Sequence, residues 1–249
     1  MMIRALIFDV NGTLTNIWTN EEDAAVWRTV ANFLMYQGVL LSPERLRDLY
    51  CDANRIQRHE SGEEYPEFDA PRLFDGIVAA NATDATRALP KKKRKLLGLL
   101  TAEVFRAATL ERLELYSGVR ETLKKLKKKY RLAAVSDGQT AWAYPELYAV
   151  GLAKYFDPII VSGDFGYRKP DPRLYKKALK RLDLRPEETI FVGNDLYRDV
   201  YGARAVGMKT VFFESNQGDH DFAARPDAII GEFPELIDAV KKLDGKKSG

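Results

Sequence analysis

The sequence predicts an α/β protein with a doubly wound parallel sheet, a Rossmann-like core, into which an all-helical segment is inserted. Three observations support this prediction. A short apolar run, residues 3–10, opens the chain and stops at the turn-forming pair Asn11-Gly12. Over residues 17–112 apolar positions recur at helical spacing, with no convincing strand between them. From residue 118 onward short apolar runs alternate with amphipathic helical stretches, which is typical of parallel strands covered by helices on both faces.

The predicted insert contains four helical stretches, at residues 21–37, 43–58, 72–87 and 96–110. Ser42 followed by Pro43 predicts the start of the second stretch, because serine caps a helix N-terminus and proline suits the first turn. Residues 59–71 are polar and predict a loop between two helices.

The second half of the chain supplies the rest of the predicted core. Strands are expected at residues 132–136, 159–161, 189–192, 210–213 and 228–230. Helices are expected at residues 119–129, 141–150, 172–182, 197–206 and 234–243. The α/β core domain is therefore expected at residues 1–16 and 113–249, the helical cap at 17–112, and the hinges near Asn16–Thr19 and Leu113–Gly118.

The composition is that of an ordinary globular protein, since 45% of the 249 residues are hydrophobic and 30% are charged. A net charge of +3 is too small to indicate nucleic-acid binding, and no apolar run approaches the roughly 18 residues of a membrane span. One cysteine, Cys51, and two histidines argue against an internal disulfide and a cysteine- or histidine-based metal centre. The N-terminus lacks a signal-peptide pattern, so we expect a cytoplasmic protein. We further expect a monomer or small homo-oligomer that binds neither nucleic acid nor membranes.

Polar residues stand where the predicted strands end. Asp9-Val10-Asn11-Gly12-Thr13 follows the first strand, and Ser136-Asp137-Gly138 closes the strand at 132–136. Lys169-Pro170-Asp171-Pro172 precedes a helix, and Gly193-Asn194-Asp195 ends another strand, with Asp199 close behind. Because a doubly wound sheet binds ligands beyond the carboxyl ends of its strands, we expect these side chains to converge.

A carboxylate, a hydroxyl, a lysine and an acidic pair at one sheet edge suit phosphoryl transfer. The carboxylate can attack phosphorus and form an acyl phosphate, which divides one difficult step into two. A hard cation relieves the repulsion between the two anions, and Mg²⁺ is the expected cofactor because it prefers oxygen ligands. The lysine and the hydroxyl stabilise charge on the transferred group, so the expected substrate is a small phosphorylated molecule.

The four segments, in this order, resemble the motifs of the haloacid dehalogenase superfamily. The signature of that family begins with Asp-x-Asp-Gly-Thr after the first strand and continues with a Ser or Thr, a lysine and an acidic pair. The resemblance covers residues 1–16 and 113–249, and the helical insert lies where one subgroup carries a mobile cap. It therefore implies both the predicted fold and a hydrolase activity.

The resemblance also implies a role for each matching residue. Asp9 would be the nucleophile and a metal ligand, and Asn11 would offer its backbone carbonyl to the metal. Ser136 and Lys169 would hold the phosphoryl oxygens. The other implied metal ligands are Asp199 and one of the two residues Asn194 and Asp195. The family motif aligns equally well with either residue of that pair. The predicted substrate-binding set is completed by Asp137, Gly138 and, from its place just past the nucleophile loop, Trp18.

Asn11 departs from the family pattern, in which a second aspartate protonates the leaving group and then activates water. General acid–base catalysis contributes roughly 10²–10⁴-fold, so the departure threatens turnover. Three alternatives follow: a phosphatase that is slow or needs good leaving groups, a 2-haloacid dehalogenase, and a weakened phospho-ligand-binding protein. Tyr175 matches a dehalogenase tyrosine, whereas Asp195 with Asp199 indicates a metal site and favours the phosphatase.

Overall fold

The protein is described here by a computed structural model that covers residues 2–245, and residues 246–249 of the predicted core domain lie outside the described residues. In chain order the strands are β1 Ala5–Phe8, β2 Thr15–Thr19, β3 Leu110–Leu115, β4 Arg131–Ser136, β5 Ile159–Val161, β6 Thr189–Gly193, β7 Lys209–Phe213 and β8 Ala228–Ile230. The α-helices are α1 Ala24–Tyr36, α2 Pro43–Glu60, α3 Ala70–Ala80, α4 Asp84–Ala88, α5 Lys91–Arg94, α6 Leu97–Thr109, α7 Val119–Leu126, α8 Thr140–Ala149, α9 Pro172–Leu182, α10 Gly202–Ala205 and α11 Leu236–Gly245. Among the helices of this described part of the chain, none is long and apolar enough to cross a membrane.

The main sheet has the strand order β5-β4-β1-β6-β7-β8, and each neighbouring pair is parallel. β1 lies between β4 and β6, with Phe8 paired to Ala134 on one side and to Val192 on the other. The chain therefore leaves β1 where the strand order reverses, which is the ligand-binding edge of such a sheet. The predicted doubly wound parallel sheet is confirmed.

Alternate residues of the strands feed two apolar layers, one on each face of the sheet. Leu6 and Phe8 pack into the layer that includes α7 and α11, whereas Ala5 and Ile7 pack into the layer that includes α9. Each of these four residues has 0% exposure. Because β1 is enclosed on all sides, the loop that follows it is held at a fixed place on the sheet edge.

The helices α1, α2, α3 and α6 pack around an aromatic core of their own. The ring of Tyr50 lies 5.3 Å from that of Trp27 and 4.8 Å from that of Phe105, measured between ring centroids. Trp142 of α8 joins this core, since its ring lies 6.2 Å from Phe105 and its Nε1 donates a hydrogen bond of 2.9 Å to the Ala102 carbonyl. The helical insert therefore has a separate core and is attached to the α/β core through α8.

The prediction of one continuous helix over residues 72–87 is wrong at residues 81–83, which separate two helices. α3 ends at Ala80, and α4 begins after Thr83. The hydroxyls of Thr83 and Thr86 each accept a hydrogen bond from the other's backbone N–H, a capping box that starts a new helix. Thr83 also donates to the Gly38 carbonyl at 2.6 Å, so a tertiary contact stabilises the break.

Two short strands lie at the two ends of the helical insert. β2 and β3 form an antiparallel ribbon in which Thr15 pairs with Leu115 and Trp18 with Arg112. The two segments predicted as hinges are thus paired with each other in part, at Asn16 with Glu114 and at Ile17 with Leu113. Any movement of the insert against the core would carry this ribbon as a unit, and the hinge positions stay a prediction.

The polar loop between α2 and α3 lies on the α/β core. Gln139, just before α8, donates through Nε2 to the Phe68 carbonyl at 2.6 Å and accepts through Oε1 from the Ala70 N–H at 2.8 Å. The Oε2 atom of Glu67 accepts a hydrogen bond of 2.8 Å from the Ser162 hydroxyl. Gln139, Glu67 and Ser162 are all buried, so the insert is firmly seated on the sheet edge in this conformation.

Candidate active site

Asp9 is the first residue after β1 and is only 6% exposed. Its backbone N–H donates to the Val192 carbonyl at 2.9 Å, which continues the β1–β6 ladder and fixes the carboxylate at the sheet edge. Its Oδ2 accepts a hydrogen bond of 3.0 Å from Thr13, and its Oδ1 contacts Lys169 Nζ at 2.6 Å. The predicted nucleophile is therefore rigidly held and is paired with the predicted lysine.

Lys169 is 3% exposed and lies between two carboxylates. Its Nζ is 2.6 Å from Asp9 Oδ1 and 2.7 Å from Asp199 Oδ1. Burial by itself would lower the pKa of this ammonium group, but the two carboxylates outweigh burial and raise the pKa of Lys169. The lysine therefore stays charged and compensates two buried acids that would otherwise repel each other.

Asp199 lies in a π-helical turn, Leu196–Tyr201, and not in the regular helix predicted over 197–206. Its Oδ2 accepts from the backbone N–H groups of Asn194 and Asp195 at 3.0 and 3.1 Å. Burial, opposed by Lys169 and assisted by Asp9, raises the pKa of Asp199 to about 7. When both acids are ionised, the Asp9–Lys169–Asp199 group carries one excess negative charge, which a substrate-side cation would offset.

Asn194 meets Asp9 through a shared hydroxyl. Thr13 Oγ1 lies 2.9 Å from Asn194 Oδ1 and 3.0 Å from Asp9 Oδ2. The amide nitrogen of Asn194 donates to the Gln217 carbonyl at 2.8 Å, which fixes its oxygen toward Thr13. Asp9, Asn194 and Asp199 therefore form one group at the sheet edge, as the resemblance implies for the first of the two alternative registers.

Asp195 belongs to a different set of contacts. Its Oδ1 accepts from the Arg198 N–H at 2.6 Å, and its Oδ2 lies 2.7 Å from the Arg198 guanidinium and 3.1 Å from the Asp219 N–H. Burial alone would raise the pKa of Asp195, but the Arg198 guanidinium and the backbone N–H groups hold it below its ordinary value. Asp195 caps the π-helical turn, and it would have to release Arg198 in order to bind a metal.

We expect Asp195→Ala to lower the free energy of unfolding by about 2–3 kcal/mol, because it removes a helix cap and the carboxylate that forms hydrogen bonds with Arg198. Asp195→Ser keeps a capping oxygen and should lose about 1 kcal/mol less. Urea unfolding monitored by circular dichroism measures both values. Wild-type stability in Asp195→Ala would contradict the capping role, as would equal losses in the two variants.

The segment after β4 is held against its neighbours. Gly138 donates its N–H to the Ser162 hydroxyl at 2.8 Å, so this N–H is not available to a substrate. Asp137 Oδ1 accepts from the Lys169 N–H at 2.9 Å. The hydroxyl of Ser136 makes only a weak contact of 3.5 Å with the Asp137 carbonyl, which leaves it able to bind an incoming oxygen. Of the three predicted substrate contacts here, Ser136 is the best placed.

The side chains of Asn11 and Trp18 have their contacts at the β2–β3 ribbon. The side-chain oxygen of Asn11 accepts from the Thr15 hydroxyl at 3.0 Å, beside the β2–β3 ribbon. Trp18 is 56% exposed and lines a cavity of about 500 Å³ with Glu111 and Arg112, on the ribbon. A substrate-binding role for Trp18 stays a prediction, and it would require a substrate that extends along the ribbon.

The donor atoms of the predicted metal site are all oxygens, which Mg²⁺ prefers. They are carboxylate oxygens of Asp9 and Asp199 and the amide oxygen of Asn194, with the backbone carbonyl of Asn11 expected beside them. Within residues 2–245 no group of three or more His, Cys, Asp or Glu side chains is placed to hold a metal ion. Because Mg²⁺ often uses one or two carboxylates and several waters, these residues fit the cation by donor type.

Three contacts were not predicted from the sequence. From the sequence, Thr13 is predicted only to belong to the nucleophile loop. In the structure its hydroxyl lies within hydrogen-bond distance of both Asp9 and Asn194. Arg198 neutralises Asp195, and the signal for this pairing was its spacing of three residues from a capping acid. Gln139 holds the insert by contacts with a distant loop, for which the sequence carries no signal.

Comparisons with known proteins identify the family of this chain. A family model described as haloacid dehalogenase-like hydrolase matches residues 3–207. A glyceraldehyde 3-phosphate phosphatase of Methanopyrus kandleri is 28% identical over 248 residues, which cover 97% of this chain and 99% of that protein. Another, from Pyrococcus furiosus, is 36% identical over 132 residues, so this alignment spans only 51% of this chain and 55% of that protein.

Among solved structures, a 2-haloacid dehalogenase from Pseudomonas syringae pv. Tomato DC3000 aligns with a TM-score of 0.69. The alignment covers 97% of this chain and 99% of that chain at 22% identity, a likeness that shows the fold alone. The family match includes all four strand-end segments, with Asp9, Ser136, Lys169 and Asp199. The chain therefore belongs to the haloacid dehalogenase-like hydrolases.

Proposed function

We propose that this protein is a magnesium-dependent phosphatase that hydrolyses a small phosphorylated metabolite through an aspartyl-phosphate on Asp9. The observation that carries the proposal is the buried Asp9–Lys169–Asp199 group, with contacts of 2.6 and 2.7 Å, at the carboxyl edge of the sheet. The names of the two phosphatase relatives support a phosphate ester as the substrate. Of the alternative registers, the contacts favour Asn194 over Asp195 as the metal ligand.

In this mechanism a carboxylate oxygen of Asp9 attacks phosphorus, and the ester oxygen leaves with the electron pair of its bond. Lys169 and the hydroxyl of Ser136 would stabilise the phosphoryl oxygens, where charge accumulates. Asp9, Asn194, Asp199 and the Asn11 carbonyl would hold Mg²⁺, which supplies the positive charge that lets two anions approach. As a cap domain, the helical insert would exclude bulk water from the intermediate.

A second candidate, a 2-haloacid dehalogenase, is favoured by one observation. An ammonium group already bridges the two carboxylates of the site, so a carboxylate nucleophile could be compensated without a metal. The case for a metal from Asp195 and Asp199 together is weaker than the sequence indicated, because Asp195 is occupied by Arg198. A halide leaving group also needs no proton, which suits Asn11.

One experiment separates the two candidates. Phosphate release from para-nitrophenyl phosphate is measured with Mg²⁺ and with a chelator, and halide release from a 2-haloacid is measured under both conditions. A phosphatase releases phosphate only with Mg²⁺, whereas a dehalogenase releases halide in both. Neither release would contradict both proposals, and stabilisation by a phosphorylated ligand would then indicate a binding protein.

We expect Asn11→Asp to raise the steady-state rate by about 10²-fold or more, because it restores a carboxylic acid where the family pattern has one. The measurement is kcat for an alkyl phosphate at saturating Mg²⁺, because an alkoxide leaving group needs a proton. Asn11→Ser is the matched control, since it changes the same position without adding an acid. An equal rise in both variants would show that the gain comes from the loop and not from proton transfer.

A further inference from the structure

A second carboxylate follows the strand next to β1. β1 and β4 are parallel neighbours with Phe8 paired to Ala134, so Asn11 and Asp137 each lie three residues beyond that pair. Ala133 and Val135 share an apolar layer with Ile7. The topology thus places an acid at the same edge of the sheet as Asn11, where the family acid is missing.

One lysine connects Asp137 with the nucleophile. The Lys169 backbone N–H donates to Asp137 Oδ1 at 2.9 Å, while its Nζ contacts Asp9 Oδ1 at 2.6 Å. Burial, followed by the charges of Asp199 and then Asp137, raises the pKa of the Tyr175 hydroxyl well above its ordinary value. Asp137 therefore belongs to the same electrostatic cluster as the group around Lys169.

The second oxygen of Asp137 is buried and has no hydrogen-bond partner among residues 2–245. The nearest cations are Arg168 Nε at 3.8 Å and Arg198 at 3.7 Å, which are ion-pair contacts too long to be hydrogen bonds. Glu67 of the insert also faces Asp137, and the charge of Asp137 contributes to the raised pKa of Glu67 after burial. A buried polar atom without a partner is rare in proteins and is often found at a catalytic position.

The surroundings of Asp137 leave one oxygen of its carboxylate unused. Three cations, Arg168, Arg198 and Lys169, face the carboxylate, and Glu67 of the insert faces it as well. Because Asp137 Oδ2 has no hydrogen-bond partner among residues 2–245, it can accept a hydrogen bond from a water molecule that attacks the intermediate.

We propose that Asp137 is the general base for hydrolysis of the Asp9 aspartyl-phosphate, an inference that rests on the proposed function. A water oxygen forms a bond to phosphorus while the water proton passes to Asp137 Oδ2. The bond between phosphorus and the Asp9 oxygen breaks, and its electron pair returns to the Asp9 carboxylate. Inorganic phosphate leaves, and Asp137 releases the proton to solvent.

This assignment restricts the substrate class. The first step has no residue assigned as proton donor, since Asn11 carries an amide. Substrates whose leaving group is stable without a proton, such as acyl and aryl phosphates, therefore react fastest. Alkyl phosphates leave as strongly basic alkoxides and react more slowly by the factor that a general acid contributes, roughly 10²–10⁴.

The test compares the two half-reactions in Asp137→Asn. Asparagine has the same shape, and its carbonyl still accepts from the Lys169 N–H, so the fold is expected to survive. Rapid mixing with para-nitrophenyl phosphate and Mg²⁺ measures the stoichiometric burst of nitrophenolate and the steady-state rate that follows. We expect the burst to be kept and the steady-state rate to fall by about 10²-fold or more.

Two further variants complete the test. Asp171→Asn changes a buried acid two residues from Lys169 that pairs with Arg173, and it should leave both phases unchanged. Asp137→Asn with Asn11→Asp should regain steady-state turnover, because an acid is restored in the neighbouring position. An unchanged steady-state rate in Asp137→Asn would overturn the proposal, and so would loss of the burst together with turnover, which indicates a positioning role.

Failure of the proposed function gives a different result. In that case wild-type protein releases no nitrophenolate that depends on Asp9, and both proposals fall together. If the wild type shows turnover that depends on Asp9 and Asp137→Asn keeps full turnover, only the assignment of Asp137 as the base is overturned.

Discussion

Replacing Asp9 with asparagine is expected to lower kcat for the phosphate ester by about 10⁴-fold or more, the largest effect of any single change at the site. The amide has no anionic oxygen to attack phosphorus, so the covalent path is lost and not merely slowed. The measurements are steady-state phosphate release and acid-quench trapping of the phosphorylated chain. Wild-type protein should yield an acid-stable, hydroxylamine-sensitive acyl phosphate, and Asp9→Asn should yield none.

Asp199→Asn is the matched control for the change in charge. It also removes a carboxylate that contacts Lys169 Nζ, since Asp199 Oδ1 lies 2.7 Å and Asp9 Oδ1 lies 2.6 Å from that atom. The nucleophile, however, stays in place. We expect the two variants to have similar unfolding free energies, with a trapped intermediate only in Asp199→Asn. A phosphorylated Asp9→Asn protein would place the nucleophile elsewhere and contradict the mechanism.

Lys169→Met is expected to cause the largest loss of stability, about 3–5 kcal/mol in the free energy of unfolding. Methionine has a similar length but no charge, so Asp9 and Asp199 would remain buried without a counter-ion. The same change should lower kcat by about 10²–10³-fold, since a preorganised cation for the transition state is lost. Urea unfolding and phosphate release measure the two effects separately.

A compensating variant distinguishes this cause from poor packing. In Lys169→Met with Asp199→Asn one of the uncompensated charges is gone, and we expect part of the lost stability to return while activity stays low. If the double variant is no more stable than Lys169→Met, the lysine stabilises the fold through its contacts and not through its charge. The double variant also serves if the single variant fails to fold.

Much of the site could be predicted because its residues lie at strand ends. Burial patterns locate strands, and parallel strands of one sheet place their carboxyl ends together, so Asp9, Ser136 and Asp199 had to meet at one edge. Lys169 lies just before a helix and not at the end of a strand. The fold nevertheless places its ammonium group at the same edge, in contact with Asp9. Its pairing with both carboxylates could not be derived from spacing, because a flexible side chain can reach several partners.

The two ends of the insert were predicted less well. Residues 15–19 and 110–115 are far apart in sequence, and neither has a strong strand pattern alone. They become strands because each supplies the other's hydrogen bonds. The break after Ala80 has a similar origin, since Thr83 reaches the Gly38 carbonyl across the helical insert.

The sequence alone could not decide whether Asn194 or Asp195 is the metal ligand. Both residues follow β6, and an acid is the more obvious metal ligand by composition. In the folded chain Asp195 is occupied by Arg198 and the Asp219 N–H, whereas Asn194 shares the Thr13 hydroxyl with Asp9. This outcome depends on which way each side chain points at the start of a π-helical turn, which a linear pattern does not contain.

The sequence by itself determined the fold class, the family and the residues at the sheet edge, because hydrophobic periodicity and strand-end motifs are local properties. The tertiary structure alone decided the partners: the bridging of Asp9 and Asp199 by Lys169, the seating of the insert by Gln139, and the buried oxygen of Asp137, which has no hydrogen-bond partner among residues 2–245. Partners depend on distances between residues remote in the chain, and packing sets those distances only when the whole core forms.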